Sequence, residues 1–276
     1  MRGVFLLTER EPGKLISEPY KDIPKEIVNV LEDLITPEDS YHQGHKRRMA
    51  RTLDVLLKEK PKGKLLELGT SKVIPLSLQQ LAPDLEVHVT DFDKNLPLSG
   101  TSTISIKDKT LKATTYRVDL ETEAVPVEDA TFDVVICCEV IEHMELDPMF
   151  MLAEINRVLK PNGKLILTTP NITSSRALYK MLRGTDPYFY MQYRHKPALY
   201  RHNYEYSEYS LRQVVKAAGF SGQVWTEDSF EDGVTEDITR LRQLGYPLTS
   251  IGDNIFATLT KTRGVVNRYP SVIYAD

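Results

Sequence analysis

The sequence has little cysteine and no long apolar run, and each shortage excludes a class of protein. Its two cysteines, Cys137 and Cys138, are adjacent, so a disulfide between them would be strained. We therefore expect reduced thiols and a cytoplasmic protein. No apolar stretch approaches the ~20 residues that span a bilayer. The apolar run near the N terminus is also too short for the core of a signal peptide.

An excess of charge of one sign is also missing. The formal net charge is −4 over 276 residues, so no basic surplus points to nucleic acid or to an anionic membrane. Hydrophobic residues make up 41% and charged residues 27%, as in ordinary globular proteins. This length suits one large α/β domain with an elaborated edge, or two small domains.

The segment from Lys64 to Asp91 has the pattern strand, tight turn, helix, strand. Leucines dominate the first strand, Gly69 marks the turn, and Ser71–Leu81 carries apolar residues at near-helical spacing. The second strand ends at Asp91, 91 − 67 = 24 residues after Glu67. An acid in that position can accept hydrogen bonds from both ribose hydroxyls of an adenosine. The pattern predicts half of a nucleotide-binding α/β fold.

Four segments in a fixed order carry a resemblance to a known family. They are ELG at Glu67–Gly69, the acid Asp91, FDVVICCEVIEHM at Phe132–Met144 and LKPNGKLILTTPN at Leu159–Asn171. Together they resemble class I S-adenosylmethionine-dependent methyltransferases, in particular the small-molecule O-methyltransferases of ubiquinone biosynthesis and polysaccharide clusters. The resemblance extends from about Lys64 to Phe220. The family's first turn usually has three glycines, whereas Ser71 and Val73 stand at two of those positions here.

The resemblance implies a fold and a division of the chain. The fold is α/β, with a seven-stranded, mostly parallel Rossmann-like methyltransferase sheet and an inserted aromatic-rich cap. Residues 1–60 would form a helical N-terminal cap and residues 61–261 the S-adenosylmethionine-binding domain, with the insertion at about 184–206. Residues 262–276 would be a tail. The polar stretch Lys94–Lys112 is expected to form a loop or small hairpin.

The resemblance also implies S-adenosylmethionine as the cofactor. In such proteins an acid at the position of Asp119 contacts the adenine amine, and its neighbour Leu120 packs on the ring. A plain turn-capping role is the alternative for Asp119. The full set of implied cofactor residues is Glu67, Gly69, Thr70, Ser71, Asp91, Phe92, Asp119, Leu120 and Cys138.

His143 is the predicted catalytic residue. It follows the apolar strand Phe132–Cys138, and ligands of open α/β sheets bind beyond the carboxyl ends of the strands. An imidazole with a pKa of about 6.5 can accept a hydroxyl proton while the methyl group is transferred. The alternative is a structural histidine that Glu142 or a backbone carbonyl satisfies.

The segment Asp186–Tyr209 contains seven tyrosines, which suit stacking on a sugar or phenolic ring. The alternative is a lid or dimer surface without a substrate role. The basic helix from Ser40 to about Lys60 is either a solvated face or a cover of the pocket. As a cover, it would bring Tyr41, His45 or Arg48 into contact with cofactor or substrate. No metal site is predicted, because His42 and His45 lack a carboxylate at a suitable spacing. The predicted substrate residues are Tyr41, His45, Glu139, Asn171, Arg201 and His202.

These features favour methylation of a small-molecule hydroxyl, on a sugar or a phenol. N-methylation, or cofactor binding without catalysis, are the alternatives. A dehydrogenase fits less well, because nicotinamide enzymes need the second and third glycines of the turn more strictly. The expected partner is a small-molecule acceptor, without nucleic acid or membrane, and a homodimer is allowed for.

Overall fold

The computed structural model describes residues 20, 22–191, 193, 201–228, 236–246 and 248–275. The helices are α1 (Lys25–Leu34), α2 (Ser40–Lys58), α3 (Val73–Leu81), α4 (Pro148–Val158), α5 (Ser175–Leu182), α6 (Glu208–Ala217) and α7 (Glu236–Gln243). The strands are β1 (Lys64–Leu68), β2 (Glu86–Asp91), β3 (Ser99–Ile106), β4 (Lys109–Arg117), β5 (Phe132–Cys138), β6 (Leu159–Pro170), β7 (Phe220–Glu227) and β8 (Asn254–Lys261). A 3₁₀ turn spans Ile141–His143.

The strands form one sheet in the order β3-β4-β2-β1-β5-β6-β8-β7. The pairs from β4 to β6 are parallel, whereas β3 and β8 run antiparallel to their neighbours. Strands β2 to β4 lie on one side of β1, and β5 to β8 lie on the other side. The crevice at the carboxyl ends of β1 and β5 is therefore where such a sheet binds ligands.

The predicted α/β fold class is confirmed, with one difference in the strand count. The described residues contain eight strands, not seven, because the polar stretch after β2 forms an antiparallel hairpin of β3 and β4. Only β4 of this hairpin joins the parallel part of the sheet, next to β2. The added strand β3 lies at the sheet edge, away from the crevice.

Apolar side chains pack on both faces of the sheet. Leu66 and Leu68 of β1 belong to the cluster that α4 and α6 cover, and Leu65 belongs to the cluster under α1, α2 and α3. This alternation follows from the two-residue period of a strand. Full burial of one such leucine stabilises the fold by about 1.5–3 kcal/mol. Helix α2 therefore has a fixed position beside the central strands.

The C-terminal residues pack against the sheet's helical layer. Val272, Ile273 and Tyr274 contact the buried cluster under α4 and α6. Asp147, the N-cap of α4, forms an ion pair with Arg268 and accepts a hydrogen bond from the Tyr274 hydroxyl. The tail thereby fastens the first turn of α4. No helix among the described residues is long and apolar enough to cross a membrane.

Candidate active site

Four neighbouring strands bring chemically useful residues to one edge of the sheet. Gly69 follows β1, Asp91 ends β2, Asp119 follows β4 and Glu139 follows β5. These strands are adjacent in the order β4-β2-β1-β5. The predicted cofactor residues therefore come together in space, although they lie far apart in the sequence.

The turn after β1 is held by hydrogen bonds to the neighbouring strand. Gly69 adopts a φ of +67°, a conformation that side chains disfavour, and its N–H donates to Thr90 Oγ1 (3.0 Å). The hydroxyl of Thr70 donates to the Thr90 carbonyl oxygen (2.8 Å). Both bonds fix the exposed backbone at the mouth of the crevice.

Ser71 and Val73 replace the expected glycines without breaking the turn. The Ser71 hydroxyl donates to Glu67 Oε1 (2.8 Å) and accepts from the Ile74 N–H (3.1 Å), at the start of α3. Val73 is buried in the first turn of α3. The second residue of the turn with a positive φ is Lys72 (φ 60°, ψ −43°), and the Val73 N–H donates across it to the Ser71 carbonyl oxygen (2.7 Å), as in a γ-turn. A non-glycine residue in this sparsely populated conformation costs about 1–3 kcal/mol.

Glu67 carries a buried carboxyl group with a raised pKa. Its side chain is buried, and burial raises its pKa to about 8, although two hydrogen bonds from Ser71 oppose the shift. A carboxyl group with this pKa is largely protonated at neutral pH. Glu67 therefore braces the turn as a neutral hydrogen-bonding group.

Glu67→Gln is expected to make the protein more stable than the wild type at pH 8. The folded-state pKa of about 8 lies above the ordinary value of 4.5, so the folded protein binds this proton more tightly. The free energy of unfolding of the wild type then falls as pH rises through this window, by at most ~1.4 kcal/mol per pH unit. Tm values from calorimetry at several pH values between 4.5 and about 8 measure the effect.

Glutamine does not ionise, so the variant should lack this decline. Glu26→Gln on the exposed face of α1 is the matched control and should follow the wild type. If Glu67→Gln and the wild type lost stability in parallel between pH 4.5 and about 8, the raised pKa would not belong to Glu67.

Two carboxylates of the edge lie near the surface. Asp91 is exposed, and one of its oxygens accepts from the Asp93 N–H (2.9 Å). Asp119 is half-buried, and one of its oxygens accepts from the Glu121 N–H (3.0 Å). These bonds fix both carboxylates in position at the crevice. Phe92 beside them is exposed and Leu120 packs against the core.

Glu139 begins the loop after β5 with a strained backbone. Its φ is 56°, a region that non-glycine residues seldom adopt. Its side chain accepts from Thr168 Oγ1 (2.8 Å) and forms an ion pair with the buried Arg48 of α2. Burial raises the pKa of the neighbouring Cys138 thiol to about 12, which makes a thiolate nucleophile unavailable there.

His143 is oriented by the inserted segment. Its Nδ1 lies 3.0 Å from the Arg201 carbonyl oxygen, which can only accept, so Nδ1 carries the proton and Nε2 holds the lone pair. Nε2 is 4.0 Å from Oε1 of the buried Glu142. The other oxygen of Glu142 accepts from Thr169 Oγ1 (2.9 Å). The predicted catalytic imidazole thus presents a basic nitrogen at the edge of the sheet.

His202 lies beside His143. Their ring centroids are 5.0 Å apart in an edge-to-face arrangement. His202 Nδ1 lies 2.8 Å from Glu205 Oε1, and Glu205 also accepts from the Phe189 and Tyr190 N–H groups. A buried carboxylate therefore fixes the second imidazole.

The family model of the methyltransferase domain matches residues 41–223 of the 276-residue chain, which includes β1 to β6 and the site just described. The chain belongs to this methyltransferase family. The matched region is an S-adenosylmethionine-dependent methyltransferase domain.

Individual relatives agree with the methyltransferase fold. A stretch of 58 residues is 40% identical to ubiquinone biosynthesis O-methyltransferase of Xanthomonas oryzae pv. oryzae, over 21% of this chain and 24% of that protein. The match therefore spans about a quarter of that relative. A Thermotoga maritima methyltransferase described as a possible histamine N-methyltransferase is 16% identical, with a TM-score of 0.52 over 84% of this chain and 99% of its own. The methyltransferase partner of the Haloferax volcanii Trm112 activator also has a TM-score of 0.52, at 13% identity, over 87% and 98%.

The residues of this methyltransferase fit S-adenosylmethionine. Gly69 leaves an exposed backbone in a left-handed conformation, and an added Cβ would lie 3.2 Å from Val140 Cγ2. Asp91 and Asp119 place two carboxylates along the same edge, where they would accept hydrogen bonds from the ribose hydroxyls and the adenine amine of a bound cofactor. Glu67, Thr70 and Ser71 would hold this edge through the bonds within the turn.

Several predicted substrate residues have other roles in the methyltransferase. Asn171 was expected at the pocket mouth, but it is buried and its amide donates to the Ser250 and Gly252 carbonyl oxygens (both 2.8 Å). The structure does not support a substrate role for it. The Arg201 guanidinium donates within the insertion, to Met191 O (3.2 Å) and Asn203 Oδ1 (2.9 Å). Its backbone carbonyl, not its side chain, reaches His143.

The basic helix reaches the site through Arg48, one of the three residues predicted to touch cofactor or substrate. Tyr41 is exposed, and its ring packs at a tilt against His45, with centroids 4.6 Å apart. Burial, with Arg48 and His42 nearby, lowers the pKa of His45 to about 4, so His45 is neutral at pH 7. Arg48, the third candidate of this helix, forms an ion pair with Glu139 at the site. Thr169 and Glu205 were not predicted, since nothing in the sequence marks their partners.

Proposed function

We propose that this methyltransferase methylates a hydroxyl group of a small molecule, a sugar or a phenol. The observation that carries the proposal is the basic Nε2 of His143 at the carboxyl end of β5. A hydroxyl is a weak nucleophile until its proton is removed, so a fixed acceptor of that proton favours oxygen as the methyl acceptor. The short match to an O-methyltransferase supports the same reading.

In the proposed reaction, different residues of this chain bind the cofactor and activate the acceptor. When bound, S-adenosylmethionine supplies an activated methyl group. Gly69, Asp91 and Asp119 hold and orient it, so that positioning supplies most of the rate enhancement. His143 activates the acceptor hydroxyl, and the Arg201 carbonyl keeps its proton on Nδ1.

The inserted segment is the proposed acceptor-binding surface. Tyr190 and Tyr204 are exposed at 53% and 39%, which leaves aromatic surface for an acceptor ring. Tyr190 also packs edge-to-face on His202, with centroids 5.1 Å apart. Residues 192 and 194–200 of the predicted insertion lie outside the described residues.

N-methylation is the second candidate, because a structural neighbour is described as a possible histamine N-methyltransferase. The two are separated by paired acceptors, a phenol with its aniline and a sugar with its amino sugar. The full chain is incubated with S-adenosylmethionine that carries a labelled methyl group. We expect label on oxygen of a phenol or sugar. Label confined to nitrogen would overturn the proposal.

A further inference from the structure

The loop after β5 and the inserted segment form a compact group of metal-ligating side chains. Glu142, His143 and His202 each offer one ligand atom, and these atoms all lie within 4.8 Å of one another. Glu142 and His202 are buried, and His143 is half-buried with 24% of its side chain exposed. His143 is therefore the most exposed of the three side chains.

Both imidazoles are held so that Nε2 is their available lone pair. His143 Nδ1 faces the Arg201 carbonyl oxygen at 3.0 Å, and His202 Nδ1 faces Glu205 Oε1 at 2.8 Å. Metal-bound histidines characteristically donate their other ring N–H to a carbonyl or carboxylate. Here each ring has one partner of this kind.

Glu142 supplies a buried acceptor that lacks a donor. Its Oε2 accepts from Thr169 Oγ1 (2.9 Å), but its Oε1 has no hydrogen-bond partner among the described residues. Such an atom is costly in a protein interior. Oε1 is also the oxygen that lies 4.0 Å from His143 Nε2. A carboxylate oxygen and imidazole lone pairs that converge without a donor form a site for a cation.

The backbone fixes the relative position of the three residues. The Asn203 N–H donates to the Glu142 carbonyl oxygen (2.7 Å), and its side-chain amide donates to the His143 carbonyl oxygen (2.8 Å). Glu205 is held in turn by the Phe189 N–H (3.0 Å) and the Tyr190 N–H (3.1 Å). These hydrogen bonds therefore hold His202 of the inserted segment next to Glu142 and His143.

We infer that Glu142, His143 and His202 bind one divalent transition-metal ion, at which the acceptor oxygen completes the coordination. Two imidazoles and one carboxylate suit Zn²⁺, Mn²⁺ or Co²⁺ better than Mg²⁺, which prefers oxygen ligands. Three protein ligands leave a position open, as in catalytic zinc sites. The place of the acceptor rests on the proposed function, whereas metal binding does not.

The ion would act on the acceptor hydroxyl. A hydroxyl bound to a divalent cation loses its proton more readily, because the ion stabilises the oxyanion. The proton would leave to solvent, and the oxygen would use the lone pair it keeps to bond to the methyl carbon. The bond between that carbon and the sulfonium sulfur would break, with its electron pair left on sulfur in S-adenosylhomocysteine. His143 then acts as a ligand of the ion rather than as a free base.

The test is a titration of the chelator-treated full chain with Co²⁺. We expect one equivalent to bind with visible d–d absorption. His202→Gln and Glu142→Gln should each weaken binding at least about 10-fold. Glu205→Gln, which removes an orienting partner, should weaken it about 10–100-fold. His42→Ala on α2 should bind like the wild type. Retained thermal stabilisation by S-adenosylhomocysteine shows that each variant is folded.

No Co²⁺ absorption in the wild type, or its loss in His42→Ala instead of His202→Gln, would overturn the inference. Assays of methyl transfer distinguish a failure of the metal site from a failure of the proposed function. Hydroxyl methylation that survives chelation, without Co²⁺ binding, would leave the proposed function intact and remove the metal. Co²⁺ binding at these residues with methyl transfer only to amines would retain the metal site and reject the hydroxyl acceptor.

Discussion

Replacing His143 with alanine is expected to lower kcat by about 100-fold or more, with the affinity for S-adenosylhomocysteine unchanged. His143 presents Nε2 toward Glu142 and is fixed by the Arg201 carbonyl, in the loop after β5. Whether Nε2 takes the hydroxyl proton or binds a cation that acidifies it, the acceptor oxygen loses its activation. The cofactor edge at Gly69 and Asp91 lies on other strands, so binding there should persist.

Steady-state rates and S-adenosylhomocysteine calorimetry measure the two parts of this prediction. His42→Ala serves as the control, because His42 lies on α2 and its Nδ1 contacts Asp39 (2.6 Å). It should keep both the rate and the affinity. A His143→Ala enzyme with a normal kcat would place the activation of the acceptor elsewhere. A loss of cofactor affinity would instead show that His143 supports the cofactor edge.

The fold could be predicted because its signals are local. The apolar strand, the glycine turn and the acid at Asp91 all lie within Lys64–Asp91, and the topology of a parallel sheet then fixes the ligand-binding edge. The sequence left a loop and a small hairpin open for Lys94–Lys112, and the structure has the hairpin that contains the extra strand β3. The Ser- and Thr-rich sequence of β3 did not decide between them. That outcome depends on a neighbour, not on the segment's own periodicity.

The acceptor side was less predictable because its contacts join distant segments. His143 and Arg201 were both predicted as site residues, but the bond between His143 Nδ1 and the Arg201 carbonyl connects residues 58 positions apart. Glu205 looks like an ordinary surface acid in a tyrosine-rich stretch, yet its side chain is fully buried against His202. For Asn171 the sequence was misleading in the opposite direction. Its place after β6 suggested the pocket, but its amide donates to backbone carbonyl oxygens of a later loop.

Arg51→Met is expected to destabilise the folded protein by about 3–5 kcal/mol. The Arg51 guanidinium is 9% exposed and binds three carboxylates, those of Asp22, Asp54 (2.9 Å) and Glu227 (2.8 Å). Burial lowers the pKa of Arg51, but the carboxylates outweigh burial and raise it, so the group is a permanent cation. Methionine would leave Asp54, which is 2% exposed, without its buried partner.

The matched control is Lys58→Met. Lys58 binds the same Asp54 oxygen (2.7 Å), but its side chain is 65% exposed, so its loss should cost less than about 1 kcal/mol. Adding Asp54→Leu to Arg51→Met should restore part of the stability, because the buried carboxylate, left with only the exposed Lys58 as its cation, is removed as well. Thermal and urea unfolding of the three variants measure this. Equal losses in Arg51→Met and Lys58→Met would mean that burial of the pair does not matter.

Arg51→Met should also change the active site. Arg51 and Arg48 lie one turn apart on α2, and Arg48 forms the ion pair with Glu139 at the end of β5. Arg51 ties that helix to the edge strand β7 through Glu227. If α2 loosens, Glu139 loses its cation, and we expect acceptor KM to rise in Arg51→Met under conditions where it is still folded. An unchanged KM would show that α2 is held at the site by Arg48 and its own apolar face alone.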